Sequence, residues 1–197
     1  MARDIASYRE HLRAETADIH AKADKTFAAL DLTTRQDLSI FMMTIYAVMD
    51  HLNQIIKRDG LASDPTVSLV PELVDDLRGD LRALGHPDAD IGWRAGVQGS
   101  LDPLAIGYVV QGSRLGTAMM AKHWAKSTDP RVQQAGRYMS SRIDTNDWRA
   151  LQGDLADIPL DSERAKKISA DVQTLFEMHL SAYEAARVKA DPSSAVA

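Results

Sequence analysis

Apolar residues recur at steps of three and four along almost the whole chain, the spacing that puts one side chain per turn on the same helical face. No stretch of four to eight residues alternates apolar and polar positions between turn residues as a half-buried strand does, so the pattern predicts an all-α protein. Ile5, Tyr8, Leu12, Thr16, Ile19, Ala23, Phe27 and Leu30 form one such stripe and predict a first helix over 5–30. A second starts at Thr34, whose hydroxyl is placed to cap it while Asp37 completes an approximate capping box, and it stops before Gly60. A third carries Pro71 in its first turn and ends at Gly85. The segment 86–102, with Pro87, Gly92, Gly96 and Gly99, reads as an irregular connection. A long helix is then predicted from Pro103 to Lys126, another starts at Asp129 and Pro130, and a short one covers Asn146 to Leu155. Ser162 caps a last helix reaching about Lys189, and a frayed tail is expected from Asp191.

A chain of 197 residues suits one well-filled core, so residues 1–190 are expected to form a single domain. The most apolar window, Leu38 to Met49, is too short for a bilayer and holds Ser39 and Thr44, which fits a core helix rather than a membrane span. The start Ala2-Arg3-Asp4-Ile5 lacks a signal-peptide apolar region, which points to the cytoplasm. A net charge of −5 without a basic stripe interleaved with aromatics argues against a nucleic-acid partner. The absence of cysteine matters most for chemistry. It excludes disulfides, thiolate haem ligation, zinc ribbons and cysteine nucleophiles, and leaves histidine as the only nitrogen ligand for a metal.

Two features stand out against this background. Gly112 and Gly116 lie one turn apart inside the helix predicted from Pro103, where each glycine costs roughly 1 kcal/mol relative to alanine. Such a bare stripe serves either a close helix–helix contact or a flat, bulky ligand pressed on the backbone. In the first helix, Arg13, His20 and Asp24 project from roughly the same side. A histidine that binds a metal through one ring nitrogen commonly donates its other N–H to a carboxylate, which is where Asp24 stands. Arg13 lies about 10 Å along the axis, a distance suited to an anionic tail on a metal-bearing ligand. The plainer alternative is an exposed His20–Asp24 pair beside a solvated arginine.

Leu12-Arg13-x-x-Thr16-x-x-x-His20-x-x-x-Asp24 resembles the proximal helix of haem oxygenases, and Tyr108-Val109-Val110-Gln111-Gly112-Ser113-Arg114-Leu115-Gly116 resembles the distal helix of their bacterial branch. The two segments come in the family's order and at its separation, and the helical pattern extends the resemblance over nearly the full length. It implies a helical bundle with a glycine-kinked distal helix, and His20 as the axial ligand of haem iron. Asp24 matches the place of a glutamate bonded to that histidine; being a methylene shorter, it is expected to reach the ring through a water. Arg13 matches a basic residue that pairs with a haem propionate. Gly112, Ser113 and Gly116 match the distal turn over the haem face, where water held near Gly112 and Ser113 would deliver protons. The implied activity is an oxidoreductase reaction in which haem, cofactor and substrate at once, is opened to biliverdin, carbon monoxide and ferrous iron with electrons from a ferredoxin or reductase.

Gln111 departs from the glutamate common in bacterial relatives, and Arg114 brings a large cation whose direction decides whether it docks a donor or blocks the pocket. In the last helix Phe176 is assigned to packing, and Tyr183 and Arg187 are candidate contacts for haem or its propionates. Two alternatives stay open: a haem-binding or regulatory protein of the same fold acting through a protein partner, and a helical enzyme that binds a different small molecule without iron. His86 and His123 are expected to face solvent and His51 to be a hydrogen-bonded core histidine, and no histidine has the glutamate three residues before it that a di-iron bundle needs. Met42, Met43, Met49, Met119 and Met120 are expected as core filler, and Trp93, Trp124 and Trp148 are too scattered to define a site.

Overall fold

The computed structural model describes residues 7–88, 90–96, 99–141 and 145–190. Among them there are nine α-helices and no strand, as the apolar spacing predicts. The expected start at Ile5 and the tail from Asp191 lie outside the described residues.

The stripe expected as one helix is two. Helix α1 (Tyr8–Glu15) is started by a reciprocal capping box between Ser7 and Glu10, and α2 (Ala17–Ala28) follows after Thr16 alone. Thr16 donates its hydroxyl to the Leu12 carbonyl at 2.8 Å and adopts φ −97°, ψ 5°. This local bond competes with the helical ladder and bends the chain without shifting the apolar period. Helix α3 (Arg35–Arg58) is capped by Thr34, but the Asp37 carboxylate accepts from the Asp31 N–H at 2.8 Å, so the expected capping box is half made.

Helix α4 (Leu69–Leu84) ends on Gly85 at φ 96°, a left-handed cap that glycine adopts without a Cβ penalty. Asp102 and Pro103 start α5 (Pro103–Trp124), where the Asp102 carboxylate accepts from the Leu104 N–H at 2.9 Å. The helix expected after Asp129 is broken into α6 (Pro130–Gln134) and α7 (Arg137–Ser140) at Gly136, where a Cβ would fall 2.6 Å from the Trp124 ring. Helices α8 (Thr145–Ala156) and α9 (Glu163–Ala190) keep their predicted places.

The core is one cluster centred on α3, α4 and α9, into which Met42, Met43 and Met49 are fully packed. Met120 is partly buried against it, whereas Met119 is 67% exposed and fills no core. Helix α9 packs against α2, α3 and α5, and the Tyr8 hydroxyl ties α1 to it by donating to the Ala165 carbonyl at 2.7 Å. No described helix is long and apolar enough to cross a membrane.

Candidate functional site

Tyr108 on α5 lies near Thr16, where α1 gives way to α2. Past the end of α2, His123 Nε2 lies 2.9 Å from Asp31 Oδ1, while Ser127 donates to the Thr33 carbonyl at 2.6 Å and Arg35 pairs with Asp129 at 2.7 Å. These two places are fifteen residues apart on each segment, about 22 Å at the helical rise of α5. Between them, among the described residues, no hydrogen bond, ion pair or ring contact links 17–30 to 109–122. The α5 face turned this way carries Tyr108, Gly112, Leu115, Gly116, Met119 and His123, and its apolar members Leu115 and Met119 are 43% and 67% exposed. Helix α9 packs on both α2 and α5.

His20 lies on α2 against α9. Its Nδ1 lies 3.0 Å from Asp24 Oδ2, a direct contact where a water bridge was expected, and its ring meets Phe176 edge-on at 5.3 Å. With Nδ1–H donating to Asp24, Nε2 has no partner among the described residues. The His20 side chain is 54% exposed. Arg13 is exposed on α1 and, with Arg9, places positive charge near Tyr108. Burial pushes the Tyr108 hydroxyl above its usual range, opposed by the nearby Thr16 side chain and by those two cations.

The glycines of α5 divide sharply. A Cβ on Gly107 would meet the Thr66 carbonyl oxygen at 2.9 Å, so this glycine is demanded by close packing. On Gly112 it would find only the edge of Trp148, at 3.6 Å, and on Gly116 nothing within 4 Å. No neighbouring helix backbone presses on either member of the stripe. Ser113 is half-buried and donates its hydroxyl to the Val110 carbonyl at 2.8 Å. Gln111 turns to the 3₁₀ turn Pro65–Val67, donating to the Thr66 carbonyl at 3.3 Å.

Arg114 neither faces the glycine pair nor reaches solvent. It lies about 160° round the helix axis from Gly112. Its side chain is 2% exposed, donates through Nη2 to the carbonyls of Tyr138 and Ser141 at 2.8 and 3.0 Å, and stacks over the Tyr138 ring at 4.3 Å. Tyr183 and Arg187 are placed elsewhere. They line a cavity of about 280 Å³ with Ala29, Leu30, Gln36, Asp37 and Ile40, and neither His20 nor the glycine pair is among its walls. Tyr183 packs on Phe27, and Arg187 pairs with Glu184 at 3.3 Å.

The remaining histidines form no site with His20. His86 is half-buried with Nε2 3.1 Å from Ser39 Oγ, His51 meets the Trp93 ring, and His179 is buried with Nδ1 2.7 Å from the Leu175 carbonyl. His123 is exposed as expected, whereas His51 keeps Nε2 buried without a partner. Burial lowers the pKa of His51, His86 and His179. Among the described residues no group of three or more His, Asp or Glu side chains is set to hold a bare metal ion. One imidazole suits a metal that arrives with its other ligands, as in a macrocycle. Trp148 and Gly107 were not singled out by the sequence. Trp148 reaches Gly112 only through the packing of α8 on α5, while Gly107 was readable as a helix-interior glycine.

Neither a family model nor a curated protein matches the chain.

Proposed function

We propose that this protein is a haem oxygenase, holding haem between α2 and α5 and cleaving it to biliverdin, carbon monoxide and Fe(II). The reading is supported by a glycine stripe that is open at Gly116 and touched at Gly112 only by the edge of Trp148, together with an exposed histidine whose Nδ1 lies 3.0 Å from the Asp24 carboxylate.

Bound haem supplies both the iron and the ring to be opened, with dioxygen and electrons from a ferredoxin or reductase. His20 Nε2 would hold the iron. Asp24, accepting from Nδ1–H, fixes the tautomer and the ring direction, and the edge of Phe176 restrains the plane. Arg13 and Arg9 give the Tyr108 end of the site the positive charge that suits propionates. The absence of a side chain at Gly116 would leave room for dioxygen beside the helix. The Ser113 hydroxyl keeps its lone pairs for ordered water after donating to Val110, and water there is the assigned proton source. Helix α9, packed on both α2 and α5, would form the floor.

Haemin titration followed by aerobic reduction with ascorbate or a ferredoxin system tests this. The expected result is a Soret band that then decays with appearance of a bilin and carbon monoxide. A Soret band that persists through reduction makes the protein a haem carrier or sensor, and no Soret band on titration removes haem altogether.

A further inference from the structure

We infer that the cavity between the end of α2, the start of α3 and the last turns of α9 is a binding site for a free α-amino acid with an apolar side chain. Its volume of about 280 Å³ lies just below the roughly 300–1,000 Å³ of pockets that take drug-sized ligands, which suits a molecule of amino-acid size. The site stands apart from the haem reading, since neither His20 nor the glycine pair is among its walls.

Two opposite charges line this cavity without pairing with each other. Asp37, in the first turn of α3, takes part in no ion pair among the described residues; its Oδ2 accepts from the Asp31 N–H at 2.8 Å, and its Oδ1 has no partner there. Arg187, on α9, uses Nη1 in an exposed pair with Glu184 at 3.3 Å, which leaves Nε and Nη2 for a ligand. The Tyr183 hydroxyl stands in the field of both charges and makes no hydrogen bond among the described residues. The helix ends repeat this division. Ala29 and Leu30 lie just past the last carbonyls of α2, and Gln36 and Asp37 lie beside the first N–H groups of α3, so the cavity borders one negative and one positive helix end.

A ligand with a single charge would satisfy one of these groups and repel the other. A ligand with both charges on one carbon matches them together, its ammonium toward Asp37 and its carboxylate toward Arg187 and the Tyr183 hydroxyl. Leu30, Ile40 and the Tyr183 ring make up the apolar part of the wall, where an aliphatic or aromatic side chain is accepted and a charged one is disfavoured.

Isothermal titration of the whole chain without haemin tests this. The probes are L-leucine, L-phenylalanine, L-glutamate, leucinamide, which lacks the carboxylate, and isocaproate, which is leucine without its ammonium. Leucine is expected to bind, with each of the two single-charge analogues and glutamate at least about 10-fold weaker, the scale of one lost charged hydrogen bond. Arg187→Gln is expected to weaken leucine and isocaproate and to leave leucinamide unchanged. Asp37→Asn, whose amide oxygen can still accept from the Asp31 N–H, is expected to weaken leucine and leucinamide and to leave isocaproate unchanged. No binding of leucine or phenylalanine at millimolar concentration overturns the inference. So does an analogue or glutamate that binds as tightly as leucine, and so does leucine affinity unchanged in both variants, since the ligand then sits elsewhere. The analogue comparison uses the wild type alone and decides the matter even where a variant fails to fold.

Discussion

His20 and Asp24 lie one turn apart on α2, 3.0 Å from nitrogen to oxygen, yet their side chains are 54% and 71% exposed. A pair so open to water contributes only about 0–1 kcal/mol to folding. Stability and ligand binding should therefore separate in variants at these positions. His20→Ala is expected to leave the unfolding midpoint nearly unchanged and to abolish the Soret band formed with haemin. Asp24→Ala should keep a Soret band with affinity lowered roughly 10- to 100-fold, the usual cost of removing the partner of a ligating histidine. Identical ferric and carbonmonoxy spectra for His20→Ala and wild type refute the axial assignment.

Gly107 and Gly116 occupy one helix and make opposite predictions. An alanine methyl at Gly116 meets nothing within 4 Å, so Gly116→Ala is expected to raise stability by about 0.5–1 kcal/mol through helix propensity and a less entropic unfolded chain. At Gly107 the same methyl is forced against the Thr66 backbone, and about 1–3 kcal/mol should be lost. Denaturant unfolding of the two variants measures both. Gly116→Leu should then bind haemin poorly without unfolding. A destabilised Gly116→Ala, or a Gly116→Leu that takes up haemin as the wild type does, contradicts an open, ligand-facing stripe.

What the sequence disclosed and what it concealed divide along the range of the forces involved. His20 and Asp24 were legible because an i,i+4 spacing on a helix brings two side chains together wherever that helix packs. The bend at Thr16 was hidden, since a hydroxyl bonded to Leu12 turns the backbone without disturbing the order of apolar residues. The break between α6 and α7 depends on partners far away in sequence. Gly136 meets the Trp124 ring, and the carboxylate of Asp80 accepts from the Arg137 and Tyr138 N–H groups at 3.0 and 2.8 Å. Trp148 was hidden for the same reason, because no periodicity in α8 says that its indole ends over Gly112. The direction of Arg114 was within reach of the helical wheel, but its burial depended on Tyr138 being present to receive it.

Arg114 and Asp80 hold α7 from its two ends. Asp80, its carboxyl raised by burial, takes the N–H groups at the start, and Arg114 caps the carbonyls at the finish. Each charge also matches the local helix dipole. Replacing Arg114 with Leu leaves buried carbonyls without that donor and is expected to cost about 2–4 kcal/mol by denaturant unfolding. Arg114→Lys should not restore the loss, because an ammonium cannot both reach the two carbonyls and stack flat on Tyr138. Wild-type stability in Arg114→Leu would show that α7 stands without this clamp.

His179 gives the fold a predictable acid sensitivity. It is 5% exposed on α9, its Nδ1–H donates to the Leu175 carbonyl at 2.7 Å, and its Nε2 is buried without a partner. Burial sets its pKa below the ordinary value of 6.5, and burial moves His51 and His86 the same way. The unfolded chain takes up these protons near pH 6.5, whereas the folded chain does so only at lower pH. Between those values the unfolded state holds more protons, so stability rises with pH in that window and is lost as the pH falls below about 6.5. Thermal unfolding followed between about pH 5 and 7.5, above the ordinary carboxylate range, should show Tm falling on the acid side, with Asp80, raised by burial, acting in the opposite direction. His179→Leu keeps an apolar volume and removes the buried proton site, so its Tm should fall less steeply over the same interval. A flat wild-type profile, or a variant with the same slope, would mean that the buried imidazole accepts its proton as readily in the folded chain as in the unfolded one.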